Sequence, residues 1–235
     1  MSDLSQRIRD NLARVHRQIA DAASRSGRSA EAVKLVAVTK SAGEAAIRAL
    51  VEAGCHELGE SRPQQLWERA ARVADPPIRW HMIGTLQRNK VRRTLPLIQM
   101  LQSADSLSLV DAVDRIAGEL SLCVPVLLEV NVSGEGSKHG FDPASVEPSL
   151  DELARLEHVE VRGLMCMAGL EGGVERARRD FAALRELRDH LRPSCPDRVS
   201  MDELSMGMSG DFEAAIEEGA TIVRIGSALF EGTEG

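Results

Sequence analysis

The sequence contains no tyrosine, and its other aromatic residues are four phenylalanines and two tryptophans. No mechanism that needs a phenol from this chain is open to it, and stacking of nucleic-acid bases has few rings to use. A formal net charge of −7 argues the same way, because nucleic-acid binding rests on an excess of Lys and Arg. The four cysteines, Cys55, Cys123, Cys166 and Cys195, fall far apart, with no CxxC or Cys/His spacing for a metal. They read as reduced, mostly buried thiols of a cytoplasmic protein, not as a disulfide framework. No apolar run is long enough for a membrane span, and the N-terminal residues lack the apolar stretch of a secretory signal. What remains is an ordinary globular composition, 43% apolar and 28% charged over 235 residues.

Leu4, Ile8, Leu12, Val15, Ile19 and Ala22 step by four and three, which predicts a helix over 2–26 that ends near Gly27. The period then changes. Strands are predicted at Lys34–Thr39, His56–Glu60, Ile78–Ile83, Ile98–Leu101, Val124–Val132, Val159–Met165, Glu203–Ser205 and Thr221–Ile225. Between them lie helical patterns over 43–54, 63–74, from about Gln87, 106–120, 143–156, 173–191 and 210–218. Repeats of about 29 residues that alternate strand and helix give a parallel sheet covered by helices. Eight of them give a (β/α)8 TIM-type barrel with an extra N-terminal helix; an open doubly wound sheet is the competing architecture. No linker or shift in composition marks a boundary, so residues 1–235 read as a single domain. Without a long apolar patch, that domain is expected to be a monomer.

Barrels of this kind place their chemistry after the C-terminal ends of strands, and often bind phosphate between the loops after strands 7 and 8. Here those loops hold Gly207 and Gly210 with Ser205 and Ser209, and Gly226 with Ser227. Glycines let backbone approach an anion and serines supply hydroxyls, although the same residues serve as plain turn chemistry. Lys40 follows strand 1, where an amine can form a Schiff base with an aldehyde or ketone once desolvation or a neighbouring cation such as Arg224 disfavours its charged form. Taken alone, Lys40 is equally an ordinary strand-end lysine. Gly134–Gly140 lacks P-loop spacing and reads as a loop after strand 5 that could close over a site. His81, inside a strand, reads as a satisfied core or rim histidine.

Several stretches carry a resemblance that runs nearly end to end: Val36–Lys40, Leu58–Glu60, Trp80–Gly84, Leu86 with Gln87, Asn89 with Lys90, Asp105 with Ser106, Val130–Gly134 with Lys138 and Gly140, Gly163–Cys166, Leu204–Ser209 and Val223–Gly226. In these the sequence resembles the pyridoxal phosphate homeostasis protein family, single-domain relatives of the alanine racemase N-terminal barrel. It departs from the family pattern at Ser61 and Arg62 and at Ser41–Gly43. The resemblance implies the barrel of fold type III pyridoxal phosphate proteins. It implies pyridoxal 5′-phosphate held through a Schiff base on Lys40, with the phosphate on Ser205, Gly207, Ser209, Gly226 and Ser227, and with Arg224 near the pyridine nitrogen. No metal site and no catalytic residue is assigned. An arginine keeps its proton, so it would leave that nitrogen unprotonated and the ring a weaker electron sink. The implied role is therefore a cofactor store or carrier, with apoenzymes that use the cofactor as partners. The alternatives are a pyridoxal phosphate-dependent amino-acid racemase with a base other than tyrosine, and a Schiff-base aldolase acting on a sugar phosphate.

Overall fold

A computed structural model describes residues 3–73, 77–134, 139–169 and 171–233. Eight parallel strands close on themselves in sequence order: β1 (Lys34–Val38), β2 (Glu57–Glu60), β3 (Arg79–Met82), β4 (Ile98–Ala104), β5 (Val124–Glu129), β6 (Val159–Met165), β7 (Val199–Ser205) and β8 (Ile222–Ile225). β1 completes the ring by pairing with β8, with Val36 opposite Arg224 and Ala37 opposite Ile225. The helices are α1 (Asp3–Arg25), α2 (Glu44–Glu52), α3 (Pro63–Arg72), α4 (Val91–Thr94), α5 (Leu107–Glu119), α6 (Pro143–Leu153), α7 (Gly173–Leu191) and α8 (Phe212–Glu217). α1 precedes the barrel and packs against α2 and α8, burying Ile8, Leu12, Val15 and Ile19.

Strand residues alternate between two environments, as a pleated strand requires. One parity, including Leu35, Ala37, Leu58, Trp80, Leu101, Val126, Leu128 and Leu164, joins the core between sheet and helices. The other points into the barrel, where Val36, Met100, Leu127, Met165 and Ile222 form a separate apolar cluster. Only part of that interior is apolar: Glu57, His81, Gln102, Ser205 and Arg224 also take inward positions.

The alternating pattern and the extra N-terminal helix are as the sequence predicts. Several boundaries differ. β4 runs three residues past the predicted Leu101, to Ala104, and so takes in Gln102. β7 begins at Val199, four residues before the predicted run, because Ser200, Asp202 and Glu203 hide the strand period among polar residues. β5 ends at Glu129, and Val130 beyond it donates to Met165 O at 2.8 Å and forms an isolated bridge to Phe141. The helical stretch from Gln87 is a short 3-10 turn, Arg88–Lys90, running into the single turn of α4. None of the four cysteines forms a disulfide among the described residues, and Cys55 and Cys166 are buried, but Cys123 is exposed. Burial pushes the Cys55 thiol up to about 12, which leaves it inert. Among the described residues, no helix is long and apolar enough to cross a membrane. In the stretch 134–140, residues 135–138 lie outside the described ones, so the expected closing loop and Lys138 are not characterised.

Candidate functional site

The rim after β7 and β8 has the character of an anion cradle. Gly207 adopts φ +93°, and a Cβ there would lie 2.6 Å from Ala215 Cβ and 2.9 Å from Phe212 Cα. Only glycine fits, and the backbone turns sharply at the end of β7. Ser209 Oγ accepts from the backbone N–H of Gly226 at 3.2 Å and of Ala228 at 3.4 Å, which ties the β7 loop to the β8 loop. A Cβ on Gly226 would come within 3.2 Å of Val38 O, so the β8 loop also lies against the end of β1. The N–H groups of Gly207, Ser209, Gly210 and Ser227 have no acceptor among the described residues. Four such donors on two linked loops suit a multiply charged oxyanion. Asp211, at the head of α8, accepts from Met208 N at 2.6 Å; burial raises its carboxyl above the usual range, opposed by that hydrogen bond and by Arg224.

Lys40 lies two residues beyond β1, exposed, in a turn closed by Ala42 N donating to Thr39 O at 2.8 Å. That turn is clamped from outside the barrel. Arg69, on α3, donates to Thr39 O at 2.6 Å and to Ala42 O at 3.0 Å, and forms an ion pair with the fully buried Glu60. Glu60 in turn accepts from the Thr39 hydroxyl. Three elements thus fix the backbone that carries Lys40, while its amine stays open to solvent.

Beneath the rim runs a chain of buried polar side chains. Arg224 Nη1 donates to Ser205 Oγ at 2.6 Å, and Nη2 donates to Cys166 O at 2.8 Å. Ser205 Oγ donates to Gln102 Oε1 at 2.6 Å. Gln102 Nε2 meets His81 Nδ1 at 2.9 Å, and His81 Nε2 meets Glu57 Oε2 at 2.7 Å. Arg79 Nε closes the far end on Glu57 Oε1 at 2.5 Å. β4 and β7 are not neighbours in the sheet, so the Ser205–Gln102 bond crosses the barrel interior. Gln102 and Ser205 are wholly buried, and His81 and Arg224 nearly so. Burial would raise the Glu57 carboxyl, but hydrogen bonds from His81 and Arg79 outweigh it and hold it at about 2. Burial pulls Arg224 below its usual value against the opposing fields of the Cys166 region, Glu129 and Asp211, yet a guanidinium keeps its proton in any protein setting. Glu129, buried where β5 ends, has its carboxyl raised by burial and then by Asp105, with Arg224 and His139 opposing.

Of the residues singled out in the sequence, the structure gathers Gly207, Ser209, Gly226 and Ser227 in the rim loops and places Lys40 on the adjoining strand end. It places Ser205 lower, with its hydroxyl already engaged by Arg224 and Gln102. His81 is the satisfied interior histidine of the two readings offered for it. Glu57, Gln102, Glu60, Arg69 and Glu129 were not singled out. For Glu57 and Glu129 the signal is present, since each is a polar residue on the inward parity of a predicted strand; Gln102 lies beyond the predicted end of its strand at Leu101.

The family model described as "Alanine racemase, N-terminal domain" matches residues 6–234. Relatives named pyridoxal phosphate homeostasis protein include one from Pseudomonas aeruginosa, 41% identical over 95% of this chain and 94% of its own. Another, from Aquifex aeolicus, is 38% identical over 94% of this chain and 96% of its own. The solved structure of PipY from Synechococcus elongatus with bound PLP is 36% identical, superposes with a TM-score of 0.83, and spans 95% of this chain and 99% of that one. An alanine racemase from Clostridium difficile shares the fold at a TM-score of 0.74 and 17% identity, and this chain spans 56% of it.

Proposed function

Because the chain belongs to the pyridoxal phosphate homeostasis protein family, we propose that it binds pyridoxal 5′-phosphate through Lys40 and stores or delivers it in the cytoplasm, with residues 1–235 as one binding unit. The observation that carries this reading is the pairing, on adjoining strands, of the exposed Lys40 with linked loops in which four N–H donors have no acceptor among the described residues. The fit is good on both counts. The rim supplies donors for a phosphate, and Lys40 supplies an amine for an aldehyde. When bound, the group offers an aldehyde reactive toward amines and a ring that withdraws electrons.

The chain's own residues limit the chemistry open to it. The backbone N–H groups of Gly207, Ser209, Gly210 and Ser227 and the Ser227 hydroxyl would hold the phosphate, and Gly226, whose N–H is engaged by Ser209, would let the backbone approach it. Arg224 donates without ever giving up its proton, so a ring nitrogen that faces it stays unprotonated and the ring's electron demand stays modest. Ser205 contributes through Arg224, to which its oxygen is already bonded. No tyrosine is available as a base. These features favour a carrier over a catalyst. One observation favours the second reading, amino-acid racemisation: Glu129 is a buried carboxyl with a raised pKa at the end of a barrel strand, the kind of group that moves protons.

The test is the absorption spectrum of freshly purified protein, followed by borohydride reduction and peptide mapping by mass spectrometry. A visible band that bleaches, with phosphopyridoxyl mass on Lys40, is expected, and Lys40→Ala should lose both the band and the trapped mass. Unchanged trapping in that variant would place the attachment elsewhere. Absence of a band after adding the cofactor would remove the reading and favour the cofactor-free aldolase. Chiral chromatography after incubation with single L-amino acids separates carrier from racemase.

A further inference from the structure

We propose that His81 and Gln102 are positioning residues for Arg224: acting through Ser205, they hold its guanidinium in one orientation toward the bound cofactor. The proposal rests on the binding of pyridoxal 5′-phosphate and adds to it two residues that never touch the ligand.

Interiors of such barrels are packed with branched apolar side chains. Here only five residues form the interior apolar cluster, and Glu57, His81, Gln102, Ser205 and Arg224 take inward positions on β2, β3, β4, β7 and β8. Burying that many polar groups is unfavourable unless each is bonded, and each is.

Donor and acceptor roles also give the chain of bonds a direction. A guanidinium only donates, so Ser205 Oγ accepts from Arg224. The Ser205 proton must then go to an acceptor, and the partner in reach is Gln102 Oε1. That turns the Gln102 amide N–H toward His81 Nδ1, which accepts, and leaves His81 Nε2–H to donate to Glu57. Glu57 is held as an anion by Arg79 and His81, so the far end of the chain does not reverse. An amide flip or a proton on His81 Nδ1 at one point would set two donors face to face.

The consequence falls on Arg224. Its guanidinium is fixed from two strands at once, by Ser205 on β7 and by the carbonyl of Cys166 beyond β6. Among the described residues, no acceptor meets the other N–H donors of the five. A donor already held in place binds with little ordering to pay for. Without Gln102, the Ser205 hydroxyl has no acceptor, reorients, and releases Nη1.

The test compares Gln102→Met, which matches the side chain in length without its polar atoms, with Gln102→Glu, whose carboxylate accepts from Ser205 and also accepts from His81 Nδ1 once that nitrogen takes up a proton from solvent. Two readouts are needed. One is solvent exchange of the Arg224 guanidinium protons by 15N NMR of the full-length protein without cofactor, assigned by the signal lost in Arg224→Lys. The other is the dissociation constant for pyridoxal 5′-phosphate. Expected results are a protected signal in the parent, loss of protection and about tenfold weaker binding in Gln102→Met, and retention of both in Gln102→Glu. If Gln102→Met does not fold, Gln102→Asn, which keeps the amide but shortens its reach, carries the same expectation. Protection and affinity unchanged in Gln102→Met, even with a lower melting temperature, would reduce the chain to packing and overturn the proposal. A parent protein with a protected Arg224 but no affinity for the cofactor would instead overturn the binding reading, while the exchange data still decide whether Gln102 positions Arg224.

Discussion

Inside the barrel, Glu57, His81, Gln102, Ser205 and Arg224 bond to one another in an unbroken chain, whereas at the rim Gly207, Ser209, Gly210 and Ser227 hold N–H groups toward no acceptor among the described residues. Both regions are polar and both belong in part to β7 and β8 or the loops beyond them. They differ in access to water. A buried donor without a partner costs about 1–3 kcal/mol, so the interior chain is closed on itself. At the rim, water serves until a ligand replaces it, so incompleteness there is tolerated and useful. Satisfied groups set positions, and unsatisfied ones bind.

The sharpest way to break this contrast is at the turn that carries Lys40, where an open amine stands on a buried clamp. Arg69→Ala leaves Glu60, wholly buried, without its cation. Denaturant unfolding should show a loss of about 3–5 kcal/mol. Glu60→Gln in the same background should restore much of it, and an Arg69→Ala protein of parental stability would show that the turn needs no clamp. Next in size is the pH response of the interior chain. Glu57 titrates near 2 in the fold against an ordinary 4.5, so its contribution is complete above about pH 4.5 and is lost as the pH falls toward 2. The shift corresponds to about 3 kcal/mol at most. Melting temperatures measured between these limits should fall more steeply for the parent than for Glu57→Gln. The smallest effect on stability belongs to the rim. Ser209→Ala removes the acceptor for Gly226 and Ala228, but water replaces it, so stability should change by less than about 1 kcal/mol. Affinity for pyridoxal 5′-phosphate should nonetheless fall several-fold in a fluorescence titration. Equal changes in both measurements would erase the distinction between rim and interior.

The architecture is legible in the sequence because strands buried on both faces read as short apolar runs between amphipathic helices, and Val124–Glu129 is the clearest of these. The rim is legible because an anion cradle needs glycine and serine at known strand ends. The interior chain is not, since its members come from five strands and Ser205 lies 103 residues from Gln102. A polar residue in a strand does not announce which partner crosses the barrel to meet it. β7 is half hidden for a related reason: Asp202 and Glu203 reach the lower edge of the barrel, and Glu203 pairs with Thr221 there. The Arg69–Glu60 pair joins a helix to a strand end nine residues away, and local patterns do not reveal that such a pair is buried.

The first helix meets the segment that follows β8, and this bears on how the protein is made. Asn11, on α1, donates to the carbonyls of Leu229 and Glu231, and Arg14 donates to Ala228 O and pairs with Glu231. The Asn11–Leu229 contact joins residues 218 positions apart. β1 likewise pairs with β8, so the ring closes only between its earliest and latest strands. A growing chain on the ribosome that has reached β7 already displays Lys40 but lacks Arg224, Gly226 and Ser227. Its amine has no neighbouring anchor and no built mouth around it. The barrel mouth around Lys40 is therefore completed last, when β8 has been made and α1 has gripped the segment behind it.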